Sequence, residues 1–257
     1  MRRTKRRDGG RGPLKWTAWI AAAILVTACA SKPGVHDPRE AADSHAGIGL
    51  HLLREGRIAP ARERLERALA LYPEHPQALS GLGLTAELEG FPEAAIGYHR
   101  RAVAAAPDDG PLRNNLGRVL CRYGDTAEAL EHLAKAAASP GYRRPEVPLT
   151  NAAICALDHG DLEAAEGFVD AAMARAPDFP AAWRSRGELL YRRGRSMEGA
   201  EALDRYMERA GTPSPRGLYW AALAHGAAGA GEQGDAYRQQ LHEYYPNSRY
   251  AERLKGQ

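Results

Sequence analysis

"ALYPEHP", residues 70–76, and "AAAPDDG", residues 104–110, decide how this chain is read. Each is an alanine-rich helical run that ends at a proline and passes into polar turn residues. The two prolines, Pro73 and Pro107, are 34 residues apart. So are Gly56 of "REGRIA" and Gly90 of "LEGFPE". Proline disfavours helical backbone in the residue before it, so each run must stop there and a new element must begin. Alanine and leucine dominate the chain, while valine and phenylalanine are scarce, which favours helix over strand. A fixed period of this length marks an array of stacked units.

The period divides the chain into six units, about 42–75, 76–109, 110–145, 146–179, 180–214 and 215–248. Each holds a glycine where its two helices meet: Gly56, Gly90, Gly124, Gly160, Gly194 and Gly229. Glycine enters the left-handed conformation that ends a helix without a Cβ penalty. Small residues recur where paired helices would touch. The first helix offers Gly49, Gly83, Gly117, Ala153, Gly187 and Ala222. The second offers Ala61, Ala95, Ala129, Ala165, Gly199 and Gly234, then Ala68, Ala102, Ala136 and Ala172. In the last two units Tyr206 and Leu241 replace the second alanine. A 34-residue helix–turn–helix unit resembles the tetratricopeptide repeat. The expected fold is all-α, a right-handed superhelix of six repeats with a concave groove. "SRYAERL", residues 248–254, reads as a short capping helix within a terminal segment 247–257.

The leader reads differently. Trp16–Ala28 is a run of thirteen residues without a charge, behind the basic "MRRTKRRDGGRGPLK". A membrane span needs ~20 apolar residues, so this run reads as a signal peptide, residues 1–28. Val26-Thr27-Ala28-Cys29 resembles a lipobox, which implies lipid attachment at Cys29 after cleavage. In the sorting rule of such lipoproteins an aspartate after the cysteine retains the protein at the inner membrane. Ala30 and Ser31 stand here, so the expected address is the periplasmic face of the outer membrane. Residues 29–41 read as a lipidated N-terminus and linker.

The leader also distorts the charge balance. The chain has 35 Lys+Arg against 32 Asp+Glu, net +3. Residues 1–28 hold seven of the basic residues and one of the acidic. Residues 29–257 hold 28 against 31, net −3. No later block of like charge appears, and no nucleic-acid partner is expected. Catalytic motifs are absent too. His45 and His51 lack the four-residue spacing of a helical zinc pair, so no metal or other cofactor is expected. Gly47-Ile48-Gly49 and Gly81-Leu82-Gly83 lie inside helices with no strand before them. They read as helix packing rather than a dinucleotide loop. Six repeats fill the chain after the leader, and the reading is a binding protein rather than an enzyme.

The groove would be formed by faces of the first helices: Ala46, Leu50, Leu53, Ser80, Leu84, Asn114, Arg118, Ile154, Leu157, Arg184, Glu188, Tyr191, Tyr219 and Leu223. Asn115 and Asn151 occupy equivalent places one repeat apart. Either they bond a ligand's backbone, since an amide both donates and accepts, or they tie their own helices. The apolar and polar mixture favours a protein segment as ligand. Cys121 and Cys155 stand in corresponding helices, 34 residues apart. They form a disulfide if their Cβ atoms converge, and stay two buried thiols if not. Between them "SPGYRRPEVPL", residues 139–149, lengthens the link by two residues, either kinking the array or serving only as a longer loop.

Three stretches carry a closer resemblance. "LRNNLGRVLCRYGDTAEALEHLAKA" (112–136), the proline-bearing insertion before "LTNAAICAL" (149–157) and "QLHEYYPNSRYAERL" (240–254) resemble the type IV pilus biogenesis and stability lipoproteins, the secretin pilotins. Ala153, where that family's helix usually has glycine, departs from the pattern. The resemblance implies an adaptor that binds outer-membrane secretin subunits, or other pilus assembly proteins, and promotes their localisation and multimer assembly. The alternative is another periplasmic repeat lipoprotein: a scaffold for a Tad-type pilus, for outer-membrane protein assembly or for cell-wall hydrolases.

Overall fold

A computed structural model describes residues 37–255. The segment read as a signal peptide, the expected lipidation site Cys29 and the start of the expected linker lie outside the described residues. Among the described residues twelve helices pair into six hairpins, and a thirteenth closes the array. The first helices of the hairpins are α1 (Pro38–Arg54), α3 (Pro76–Glu89), α5 (Gly110–Tyr123), α7 (Glu146–Asp158), α9 (Pro180–Arg192) and α11 (Pro215–Ala227). Their partners are α2 (Ile58–Leu71), α4 (Pro92–Ala105), α6 (Thr126–Ala138), α8 (Leu162–Arg175), α10 (Ser196–Arg209) and α12 (Gly231–Tyr244). The all-α solenoid expected from the period is the observed fold. No described helix is long and apolar enough to cross a membrane.

Local chemistry starts these helices. Asp37, Asp109, Asp125, Asp161, Ser214 and Ser248 accept a backbone N–H of the following turn through their side chains. Such caps satisfy donors that have no partner inside the helix. Proline occupies the first or second position of six helices, where its missing N–H costs nothing. Pro148 sits in the first turn of α7 for the same reason. The linker assignment is corrected here. Asp37 caps α1 and Pro38 opens it, so residues 38–41 belong to the first helix and the solenoid begins four residues before residue 42.

Five turn glycines have positive φ: Gly56, Gly90, Gly160, Gly194 and Gly229. After each, the next N–H bonds back five residues, as Phe91 does to the Ala86 carbonyl at 2.8 Å. This is the Schellman closure of a helix. Gly124 breaks the expectation. It has φ −126° and ψ −142°, its N–H stays on the Leu120 carbonyl, and Asp125 caps α6 at once. Gly141, in the insertion, also has positive φ.

The small residues lie where the helices pack. A Cβ on Gly117 would stand 2.6 Å from Leu133 Cγ and 2.9 Å from the Ala129 carbonyl oxygen. Gly49 and Gly81 both face Leu65, and Gly83 faces His99. The Gly-X-Gly stretches are therefore packing features, although Gly47 itself faces open space. In the fifth unit Tyr206 fills what alanine fills elsewhere. Gly217 of α11 makes room for its ring, and its hydroxyl accepts the Ser214 N–H at 2.6 Å.

The first helices touch one another from repeat to repeat: α1 with α3, α3 with α5, α5 with α7, α7 with α9 and α9 with α11. Among the described residues no two second helices pack backbone to backbone, although the long side chain of Arg100 in α4 reaches Glu128 of α6 at 2.7 Å. The array therefore curves with its first helices inside, which makes their free faces the concave surface. At its end α13 (Arg249–Leu254) packs on α11 and α12 and buries Tyr250, Ala251 and Leu254.

Candidate functional site

Two adjoining hollows lie among the first helices. The first, about 450 Å³, is lined by Leu50, Leu53 and Arg54 of α1, Leu84, Glu87 and Leu88 of α3, and Arg118 and Arg122 of α5. Leu88 is 61% exposed, an unusual place for leucine on a helix that otherwise buries its apolar residues. The second, about 510 Å³, shares Arg118 and Arg122. It adds Cys121, Asn151, Ile154, Asp158, His159, Arg192 and, from α13, Arg249 and Arg253. One hollow is mainly aliphatic and the other is cationic.

Of the predicted groove residues, Leu50, Leu53, Leu84, Arg118, Asn151 and Ile154 line these hollows. Tyr191 is half-buried against Trp220, with ring centroids 5.5 Å apart. Arg184 is half-buried, its Nη1 3.4 Å from Ser214 Oγ, and burial and the nearby Arg216 charge lower its pKa. Leu223 is half-buried against the last core cluster.

Five groove assignments are corrected. Ser80 is buried and accepts from Asn115 Nδ2 at 3.1 Å. Glu188 is 0% exposed and accepts two guanidinium bonds from Arg216 of α11, at 2.7 and 2.8 Å, and one from Arg192, at 2.6 Å. Tyr219 lies in the core, its ring 5.3 Å from that of the capping Tyr250. Ala46 and Leu157 are buried as well. All face the neighbouring helix rather than the groove. The helical period alone does not distinguish the side of a first helix that meets the next repeat from the side that meets solvent.

The asparagines follow one rule. Asn115 Nδ2 donates to Ser80 of the preceding first helix, and Asn151 Nδ2 donates to Asn114 Oδ1 at 2.8 Å. Both contacts join positions in the same register, one repeat back. These amides clip adjacent repeats together, and neither of the two roles expected of them describes this. Cys121 and Cys155 join α5 to α7 in a disulfide, Cα–Cα 5.7 Å, beneath the cationic hollow. His159 lies beside the two sulfurs, and its Nδ1 is 2.9 Å from the Cys155 carbonyl oxygen. With both thiols oxidised, the three do not form a metal set.

Charge in and behind the groove is partly committed. Arg118 Nη2 stands 3.1 Å from Glu87 Oε1. Burial raises the Glu87 carboxyl, but His99, Arg118 and Arg122 together hold it below the usual carboxylate range. Arg216 Nη1 takes Asp158 at 2.8 Å. Burial would lower the Arg216 pKa, but the paired Glu188 carboxylate outweighs it and raises the group above its ordinary value. Sequence reasoning missed Arg122, Arg192, Arg249 and Arg253. The four-residue spacings Arg118/Arg122 and Arg249/Arg253, each placing two guanidiniums on one helix face, are the signal for Arg122, Arg249 and Arg253; Arg192 has none.

Repeat profiles described as tetratricopeptide repeat match residues 47–110, 89–143 and 122–189. With six stacked hairpins and a concave first-helix face, the chain is a tetratricopeptide-repeat protein. Its relatives come from several systems. It is 29% identical to Protein FlbA of Caulobacter vibrioides over 56% of this chain and 25% of that one. It is 28% identical to Cellulose synthase operon protein C of Pseudomonas fluorescens over 71% of this chain and 15% of that one. The chain thus spans about a quarter or less of these two relatives. It is 22% identical to Type IV pilus assembly protein PilF of Pseudomonas aeruginosa, over 67% of this chain and 68% of that one. Among solved structures, PilW, described as a widely conserved type IV pilus biogenesis factor, superposes with TM-score 0.72 at 22% identity. That match covers 83% of this chain and 97% of PilW.

Proposed function

We propose that this chain is a lipid-anchored adaptor of type IV pilus biogenesis. It binds secretin subunits through its concave face and promotes their outer-membrane localisation and assembly into multimers. The observation that carries the reading is the concave groove, where the exposed Leu88 and the half-buried Leu50, Leu53 and Leu84 adjoin Arg54 and Arg122, which have no carboxylate within ion-pair distance among the described residues. An aliphatic and charged open groove suits a protein segment, whereas a small substrate needs an enclosing pocket. The sequence likeness to a pilus assembly protein over two thirds of both chains supports the pilus assignment. The lipobox at Cys29 supports anchoring at the periplasmic face of the outer membrane. In this role no covalent bond is made or broken. The several acyl chains of a mature lipoprotein hold the membrane and the groove holds the client.

Deletion of the gene tests this. Surface pili and heat-resistant secretin multimers should both fall, and the wild-type protein should sediment with outer membranes. Leu50→Asp with Leu84→Asp should reproduce the loss while the protein is retained at normal level. Normal multimers in the deletion strain refute the proposal. A scaffold for another envelope machine is the second reading, favoured by the likeness to the cellulose synthase operon protein over 71% of this chain. Unchanged pili with a defect in a different exported product would select it.

A further inference from the structure

The cationic hollow has features that groove binding in general does not require. Five arginines line it, against Asp158 as the one carboxylate among the described residues. Asp158 is already committed to Arg216, which lies outside the lining. Arg118 and Arg192 face Glu87 and Glu188. The other three, Arg122, Arg249 and Arg253, have no carboxylate within ion-pair distance among the described residues. Arg122 and Arg249 lie instead over the rings of Tyr123 and Tyr250, at 5.7 and 4.9 Å. The arginines come from α5, α9 and α13. The capping helix therefore faces the middle repeats across the groove with two charges of the same sign. Arg122, Arg249 and Arg253 are exposed, so water screens their mutual repulsion in part; an anionic guest relieves what remains, and their guanidiniums are free to meet it.

We infer that this hollow is the docking site for an acidic, extended segment of the client protein, whose clustered Asp or Glu carboxylates pair with Arg122, Arg249 and Arg253. Arginine is suited to the task because its planar fork meets a carboxylate through two parallel hydrogen bonds. The aliphatic hollow adjoins through Arg118 and Arg122, so apolar residues flanking the acidic cluster would run onto Leu84 and Leu88. A membrane headgroup fits less well. The arginines line a hollow inside the curve, with α13 across it, whereas a bilayer needs charges on an outward face. The inference rests on the adaptor reading, in that it assumes the concave face takes protein.

Fluorescence anisotropy of the full-length lipoprotein in neutral detergent tests it. The probes are a labelled twelve-residue peptide with four Glu flanked by leucines, the same peptide with Gln for Glu, and vesicles containing phosphatidylglycerol. The acidic peptide should bind at least tenfold more tightly than the Gln peptide, and weaken as salt rises. Arg122→Gln with Arg253→Gln should weaken it at least tenfold while circular dichroism stays unchanged. Equal binding of the two peptides overturns the inference, as does an unaffected double variant. Arginine-dependent binding to anionic vesicles but not to the peptide also overturns it and assigns the hollow to lipid. If the acidic peptide fails while gene deletion still abolishes secretin multimers, the inference alone falls. If the peptide binds and the deletion strain keeps its multimers, the pilus reading alone falls.

Discussion

Glu188 is enclosed by two arginines, Arg216 from the next first helix and Arg192 one turn along its own. The period places it on a groove, yet the structure makes it the centre of a buried ion cluster joining α7, α9 and α11 through Asp158. Removing one member of such a cluster leaves an uncompensated buried charge, at a cost of about 3–5 kcal/mol. Glu188→Ala should lower the urea midpoint by that equivalent. Glu188→Leu with Arg216→Met should cost clearly less, since the charges left without partners, Asp158 and Arg192, both reach solvent and no fully buried charge is stranded. A simple sum of the single losses would contradict the coupling. Glycines offer a second contrast at this scale. Gly117→Ala drives a methyl into Leu133 and the Ala129 carbonyl and should destabilise by about 1–3 kcal/mol. Gly47→Ala meets open space on an exposed helix face and should stabilise by up to about 1 kcal/mol. Thermal melts of both variants decide whether these glycines differ as the packing says.

Helices are the most legible level of the sequence, because capping and proline signals act within one turn of chain. Six glycines in register are enough to place all six hairpins. Their conformation is less legible. Five take the left-handed form and Gly124 does not, since Asp125 begins α6 immediately and the chain reverses through extended backbone. The insertion before α7 is a longer loop whose Tyr142 packs against Gly110. The disulfide crosses that same junction and closes a loop of 34 residues. Such a loop is associated with about 2–4 kcal/mol of stability. Reduction, or Cys121→Ala with Cys155→Ala, should lower the denaturation midpoint accordingly and raise amide exchange most in α5 and α7. An unchanged midpoint would mean the cross-link restrains little in the unfolded chain.

At the scale of the whole molecule, a solenoid's stability is a sum over units and their neighbours. The capping helix α13 therefore matters locally. Truncation after Asn247 uncovers the apolar cluster of Leu218, Tyr219 and Leu241. Hydrogen exchange should speed up in α11 and α12 and stay unchanged in α1 to α6. A uniform loss of protection would show instead that the array unfolds as one cooperative body. The period, the helix ends, the small-residue contacts and the all-α fold were determined by the sequence itself, because each depends on residues a few turns apart or on a repeat that can be counted. The faces of the first helices were decided only in three dimensions. Ser80, Glu188 and Tyr219 turn toward the next repeat, while arginines from residues 118 to 253 converge on one hollow. No contiguous stretch of the chain is rich in basic charge after the leader. The positive cleft exists because superhelical curvature brings α5, α9 and α13 around the same space.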